Sequence, residues 1–204
     1  MARYRGPRLK IVRRFQEPLP GLTQKNGERR PYPPGQHGPG RRTKVSDYRV
    51  RLEEKQKLRH NYGLSETQLR RYYKRASGTK GDTGAILLQL LESRLDNVVF
   101  RAGFGPTIPA ARQLINHGHV LVNGKKVDRA NYQLATNDKI NLREASLKVP
   151  MVVTSLASRA LELPSYLSFA QETNEATFTG VPTREDVPVD VQEQLIIEHY
   201  SRVA

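Results

Sequence analysis

The first forty-five residues set the tightest limit on how this chain can fold. They carry Pro7, Pro18, Pro20, Pro31, Pro33, Pro34 and Pro39, interspersed with glycine, and few apolar side chains. Proline fixes φ and removes a backbone donor, so such a run supports neither a sheet interior nor a long helix. The core is therefore expected to come from later residues. Residues 1–45 read as an extended basic arm that takes shape on a partner, or else as a flexible solvated tail. Charge indicates the partner. Residues 1–80 hold 22 Lys and Arg against 6 Asp and Glu, a balance of +16, whereas residues 81–204 hold 12 against 14, a balance of −2. Solubility does not require that asymmetry, and a surface for a polyanion does. Nucleic acid fits better than a membrane, because no apolar run approaches the roughly 18 residues of a span. No basic amphipathic helix pairs Lys with Trp or Phe as an interfacial anchor would. The absence of cysteine excludes disulfides, thiolate metal sites and a cysteine nucleophile. Arg3, Arg5, Arg8 and Lys10 lead only into Ile11-Val12, too short for a secretory core, and Gly6-Pro7 with little serine argues against a transit peptide.

Helices are expected next. Ser46 is placed to cap a helix running to about Asn61 and ending near Gly63, dense in Arg49, Arg51, Lys55, Lys57 and Arg59. Ser65-Glu66-Thr67-Gln68 reads as a capping box opening a helix to about Ser77, stopped by Gly78. That helix carries Arg70, Arg71, Lys74 and Arg75 interleaved with Tyr72 and Tyr73. The tyrosines either stack on exposed bases or pack in a small helical core. Leu87, Leu91, Leu95, Val98, Val99 and Ala102 follow the period of a third helix, from about Gly84 to Arg101. Thr107 and Pro109 suit the start of a fourth, from Ile108 to His117. His119–Val122 and Lys125–Val127 flank Asn123-Gly124, the strongest short hairpin signal, because a type I′ turn needs positive φ at both positions. A further strand is expected at Lys139–Leu142. Val189 to Tyr200 reads as an amphipathic helix with Val191, Leu195, Ile196, His199 and Tyr200 on its apolar side.

Three separated motifs now carry a resemblance. Leu91–Arg101 (LESRLDNVVFR), Ala111–Val120 (ARQLINHGHV) and Val122–Lys125 (VNGK) resemble the small RNA-binding module, often called the αL motif, named after the fourth protein of the small ribosomal subunit. Pro31–Gly38 (PYPPGQHG), Arg51–Arg59 (RLEEKQKLR) and Glu193–Arg202 (EQLIIEHYSR) are similar to the rest of that protein family, so the resemblance spans nearly the whole chain. Arg3–Arg8 with Leu19–Thr23 resemble the cyanobacterial and plastid branch. Many bacterial members carry a four-cysteine zinc knuckle near the start. This chain has no cysteine, so that metal is not carried over. Thr107-Ile108-Pro109-Ala110 stands where some relatives have paired basic residues, and these four are left out of the expected site.

The resemblance implies an α+β fold. An extended arm (1–45) is followed by a mostly helical domain (46–92 with 187–204), into which an αL-type module with its C-terminal extension (93–186) is inserted. It further implies a structural constituent of the small ribosomal subunit, with no catalytic residue, cofactor or metal. Such a protein binds the 5′ domain of small-subunit (16S) rRNA early in assembly and contacts the fifth protein of the subunit. It also helps shape the channel by which mRNA enters, and with it translational accuracy. The location would be the ribosome, in bacterial cytoplasm or plastid stroma.

The residues expected on rRNA are Arg3, Arg5, Arg8, Lys10, Arg13, Arg14, Arg41, Arg42 and Lys44 in the arm, where guanidinium forks grip phosphate. Arg49, Arg51, Lys55, Arg59, Arg70, Arg71 and Lys74 follow on the first two helices of the domain. In the module they are Arg94 and Arg112 toward phosphate, Asn116, His117 and His119 at the helix–strand junction, and Lys125 and Lys126 beyond the turn.

Three other chemistries compete. Pseudouridine synthases combine this module with a catalytic Arg-Leu-Asp segment, and Arg94-Leu95-Asp96 matches it. Ser93 replaces the usual glycine, however, Leu95 fits a helical stripe, and only about sixty residues remain for a catalytic domain. Asp96 is expected instead to pair with Arg94 or Arg112, or to fix a backbone. His117 and His119 fall short of a metal ligand set. The helices of 84–117 could pass for a helix-turn-helix, but the second offers only Arg112, Gln113, Asn116 and His117 as polar readers, and the charge lies elsewhere.

Overall fold

The computed structural model describes residues 4–40 and 45–203. In chain order the helices are α1 (Arg8–Phe15), α2 (Asp47–Asn61), α3 (Glu66–Ser77), α4 (Thr83–Glu92), α5 (Leu95–Arg101) and α6 (Ile108–Asn116). Strands β1 (Val120–Val122), β2 (Lys125–Lys126) and β3 (Lys139–Leu142) follow, then α7 (Glu144–Leu147) and α8 (Pro150–Ala157). Strands β4 (Leu167–Ala170) and β5 (Glu175–Phe178) precede the last helix, α9 (Glu193–Val203). The fold is α+β. It divides into two compact units, Met1–Leu87 with Val189–Ala204, and Leu88–Pro188.

The first unit is helical. Ser46 Oγ accepts the Arg49 N–H and opens α2, and the Ser65/Gln68 capping box opens α3 with both of its reciprocal bonds formed. Leu58, Leu69, Ala76 and Ile196 are completely buried and join α2, α3 and α9. Tyr200 Oη donates to Glu66, Arg51 pairs with Glu198 at 2.7 Å, and Glu54 accepts the Gln192 N–H. The basic first segment is less extended than its proline content suggests. Arg8–Phe15 makes two helical turns, and Ile11, Val12, Leu19 and Leu22 are buried. Four well-spaced apolar residues suffice to anchor it, and Gly21 N–H donates to the buried Asn61 Oδ1.

The second unit packs α5 with α6 and carries one antiparallel sheet, in the order β2-β1-β3-β5-β4. Val98, Val99, Phe104, Ala111, Ile115, Val120, Ile140 and Ala176 form its core, each fully buried. The helix expected from Gly84 to Arg101 is two helices here. Arg94 between them is extended (φ −73°, ψ 138°) and forms an antiparallel bridge with Gln133. The Leu95 and Asp96 N–H groups, which a continuous helix would point at its preceding turn, donate instead to the carbonyls of Tyr132 and Ala130. Apolar spacing cannot register this break, because Leu87 and Leu91 before it and Leu95 and Val98 after it are all buried.

At the hairpin, Asn123 (φ 50°) and Gly124 (φ 77°) both adopt positive φ while Val122 pairs with Lys125. A Cβ at Gly124 would meet nothing within 4 Å, so the glycine is needed for its backbone conformation alone. Gly124→Val is therefore expected to destabilise the protein by roughly 1–2 kcal/mol. Urea denaturation checks this, and an unchanged midpoint would show that the turn does not need its positive φ.

Candidate nucleic-acid interface

In the first unit α3 presents a basic surface. Leu69, Tyr72 and Ala76 face inward, which turns Arg70, Arg71, Lys74 and Arg75 to solvent along one side. None of these four has an ion-pair partner among the described residues. The tyrosines take the core alternative rather than the base-stacking one: Tyr72 is buried and Tyr73 stacks on Tyr200, with ring centroids 4.8 Å apart. Arg5, Arg8, Lys10 and Arg14 on or beside α1 are also exposed. Arg3, Arg41, Arg42 and Lys44 lie outside the described residues.

Several residues expected on RNA are committed inside the protein. Lys55 is buried and pairs with Glu66 at 2.9 Å. Burial alone would raise the Glu66 carboxyl, but hydrogen bonds from Lys55 and Tyr200 and the charges of Lys55 and Arg59 hold it below the usual carboxylate range. Arg51 is tied to Glu198, Arg49 bonds Glu53 at 2.8 Å while staying exposed, and Arg59 is half-buried near Glu66. Arg13 donates to the carbonyls of Arg30 and Tyr32 and lies over the Tyr32 ring. These side chains build the helical unit because α2 is flanked on several sides, and cations there must find carboxylates or carbonyls. His60 does not add a positive charge, since burial and the charges of Arg59 and Arg14 push its pKa down to about 4.

In the second unit the expectation for Arg94 and Arg112 is corrected. Arg94 is only 2% exposed and donates to both Asp96 oxygens, at 2.9 and 2.7 Å. Arg112 reaches the same carboxylate through Nε at 3.1 Å, and the Asn97 N–H also donates to it. Asp96 thus pairs with both arginines and fixes a backbone at the start of α5. Both guanidinium groups are thus engaged by a carboxylate of the protein itself. Asn116, His117, Lys125 and Lys126 are exposed, and half-buried His119 meets Ser146 Oγ through Nδ1 at 2.9 Å. They gather because Gly118 (φ 73°) turns the chain out of α6, and Lys126 lies across it. A Cβ at Gly118 would come within 2.3 Å of Lys126 Cε. Among the described residues no group of three or more His, Asp and Glu could hold a metal ion, and no helix is long and apolar enough to cross a membrane.

Comparison with known proteins settles the family. Residues 3–92 match the family described as Ribosomal protein S4/S9 N-terminal domain, and residues 93–140 match the S4 domain. The small ribosomal subunit protein uS4 of Synechococcus elongatus is 55% identical over 203 residues, 99% of each chain. The chain belongs to the uS4 family. The uS4 proteins of Trichormus variabilis (55% over 205 residues, all of both chains) and Methylobacillus flagellatus (52% over 202, 98% of each) are also similar. The S4 domain match begins at Ser93, inside the break that separates α4 from α5, and takes in α6 and the hairpin. In this uS4 chain Arg75, noted on the helix but not among the residues expected on rRNA, lies on the same exposed side as Arg71. The i, i+4 spacing from Arg71 was the signal for it.

Proposed function

We propose that this chain is a structural constituent of the small ribosomal subunit that binds 16S rRNA directly and catalyses nothing. The observation that carries the reading is the α3 side with Arg70, Arg71, Lys74 and Arg75 exposed, set over a buried Leu69-Tyr72-Ala76 stripe. A rigid helix holding four uncommitted cations presents them at fixed spacing to a phosphate backbone. The names of the uS4 relatives support the subunit assignment. The family resemblance supports the finer reading: attachment at the 5′ domain early in assembly, contact with the fifth small-subunit protein, and a share in the channel by which mRNA enters. It equally supports a location in the ribosome, in bacterial cytoplasm or plastid stroma.

Catalysis on uridine is disfavoured by the site itself. A nucleophilic carboxylate must meet substrate, whereas Asp96 is 1% exposed and receives hydrogen bonds from Arg94, Arg112 and Asn97. The test is a salt titration of the full chain against a small-subunit 5′-domain rRNA fragment, beside duplex DNA at matched salt. Tighter binding to the rRNA, with a log–log salt slope several units negative, is expected. Equal affinity for duplex DNA, a slope near zero, or pseudouridine appearing in the RNA would each overturn the proposal.

A further inference from the structure

Two adjoining clefts lie between α1 and the segment 26–31, within the first unit. One, of about 310 Å³, has apolar walls from Val12, Pro18 and Pro31 and also carries Glu17 and Glu28. The other, of about 260 Å³, is lined by Arg13, Arg29 and Arg30 and contains no acidic residue. They share Arg13, Asn26, Gly27 and Arg30, so they are two compartments of one groove. The walls are fastened together. Arg13 donates to the Arg30 carbonyl and Gln16 donates to the Pro31 carbonyl, each at 3.2 Å. A groove held open in this way needs little reordering to accept a ligand.

We propose that this groove seats one nucleotide turned out of a structured RNA, with its base in the apolar compartment and its phosphate in the arginine compartment. The proposal rests on the RNA-binding reading above and assigns it a particular site. The charges divide the groove in the required way. Glu28 repels a phosphate from the apolar side, and Glu17 is already held by Lys57 at 2.7 Å. Arg29 and Arg30 are exposed, and neither side chain has an ion-pair partner among the described residues, whereas Arg13 is spent on the wall. An unstacked base gains apolar walls and a guanidinium plane, the usual means of holding splayed-out RNA bases. The volume lies at the lower end of small-ligand pockets, which suits one nucleotide rather than a stacked run.

Asn26 lines both compartments from an exposed position, so Asn26→Trp fills the groove without altering charge. Its affinity for the rRNA 5′-domain fragment is expected to fall about tenfold with an unchanged salt slope. The double variant Arg29→Ala with Arg30→Ala should make the slope shallower by about one unit. Chemical probing of the bases should find one base that the parent shields and Asn26→Trp exposes. An RNA made abasic at that nucleotide should bind the parent more weakly, and Asn26→Trp no more weakly than the intact RNA does. The abasic arm uses the parent chain, so a folding defect in the variant does not remove the test. Parent-like binding by Asn26→Trp, or no single base shielded by the parent, overturns the nucleotide seat while leaving general RNA binding intact. Failure of the parent to bind the fragment overturns both.

Discussion

Asp96→Ala is expected to destabilise the second unit by about 3–5 kcal/mol, the usual cost of removing one partner from a buried ion network. The carboxylate is the hub of that network. Arg94, 2% exposed, donates to both of its oxygens, Arg112 to one of them, and the Asn97 N–H caps it from the first turn of α5. Truncation removes both Asp96 hydrogen bonds from the buried Arg94 guanidinium, sets a methyl in their place and also frees the start of α5. Asp96→Asn keeps the shape and one acceptor oxygen, so its loss should be smaller. Urea denaturation of both variants orders them. A midpoint for Asp96→Ala equal to the parent's would mean that Arg94 reaches solvent or another acceptor at no cost, and the hub would lose its structural meaning.

The second large effect concerns binding. Replacing Arg70, Arg71, Lys74 and Arg75 together with glutamine should lower affinity for the rRNA fragment by about 10²–10³-fold near physiological salt, and make the salt slope shallower by about three units. Glutamine is also a good helix former, and these side chains point away from Leu69, Tyr72 and Ala76, so the melting temperature should hold. The informative contrast is Lys55→Gln. Lys55 is buried against Glu66, so that change should lower stability and leave the salt slope close to the parent's. If Lys55→Gln changed the slope as much as an α3 substitution does, the division between structural and RNA-facing cations would be wrong.

That division marks what could be read from the chain and what could not. Ser46, Ser65 with Gln68, Thr107 and Asn123-Gly124 act through neighbours within a few residues, and each sits where its local chemistry placed it. The net charge of the first eighty residues was equally plain. Which cations stay available was not, because it depends on carboxylates distant in sequence. Glu198 removes Arg51 from across 147 positions, and Glu17 engages Lys57 from across 40. Strands β4 and β5 were missed, because what identifies them is pairing: each with the other, and β5 also with β3 some thirty-five residues upstream. The break at Arg94 was hidden for a related reason: its cause, the bridge to Gln133, lies in a loop some forty residues downstream.

The discontinuous first unit has a consequence for the order of events during synthesis. Its last helix, α9, joins α2 and α3 through Ile196, through Glu198 to Arg51 and through Tyr200 to Glu66. These residues are translated after the second unit, which is complete once Pro188 has been added. A nascent chain therefore holds α2 and α3 with an uncovered apolar seam while Leu88–Pro188 already possesses all of its core. The later-translated unit closes first and the earlier one waits for α9, the reverse of the usual N-to-C progression. During that interval the basic helices are displayed before their own scaffold is finished, and arrival of α9 locks the surface that they carry.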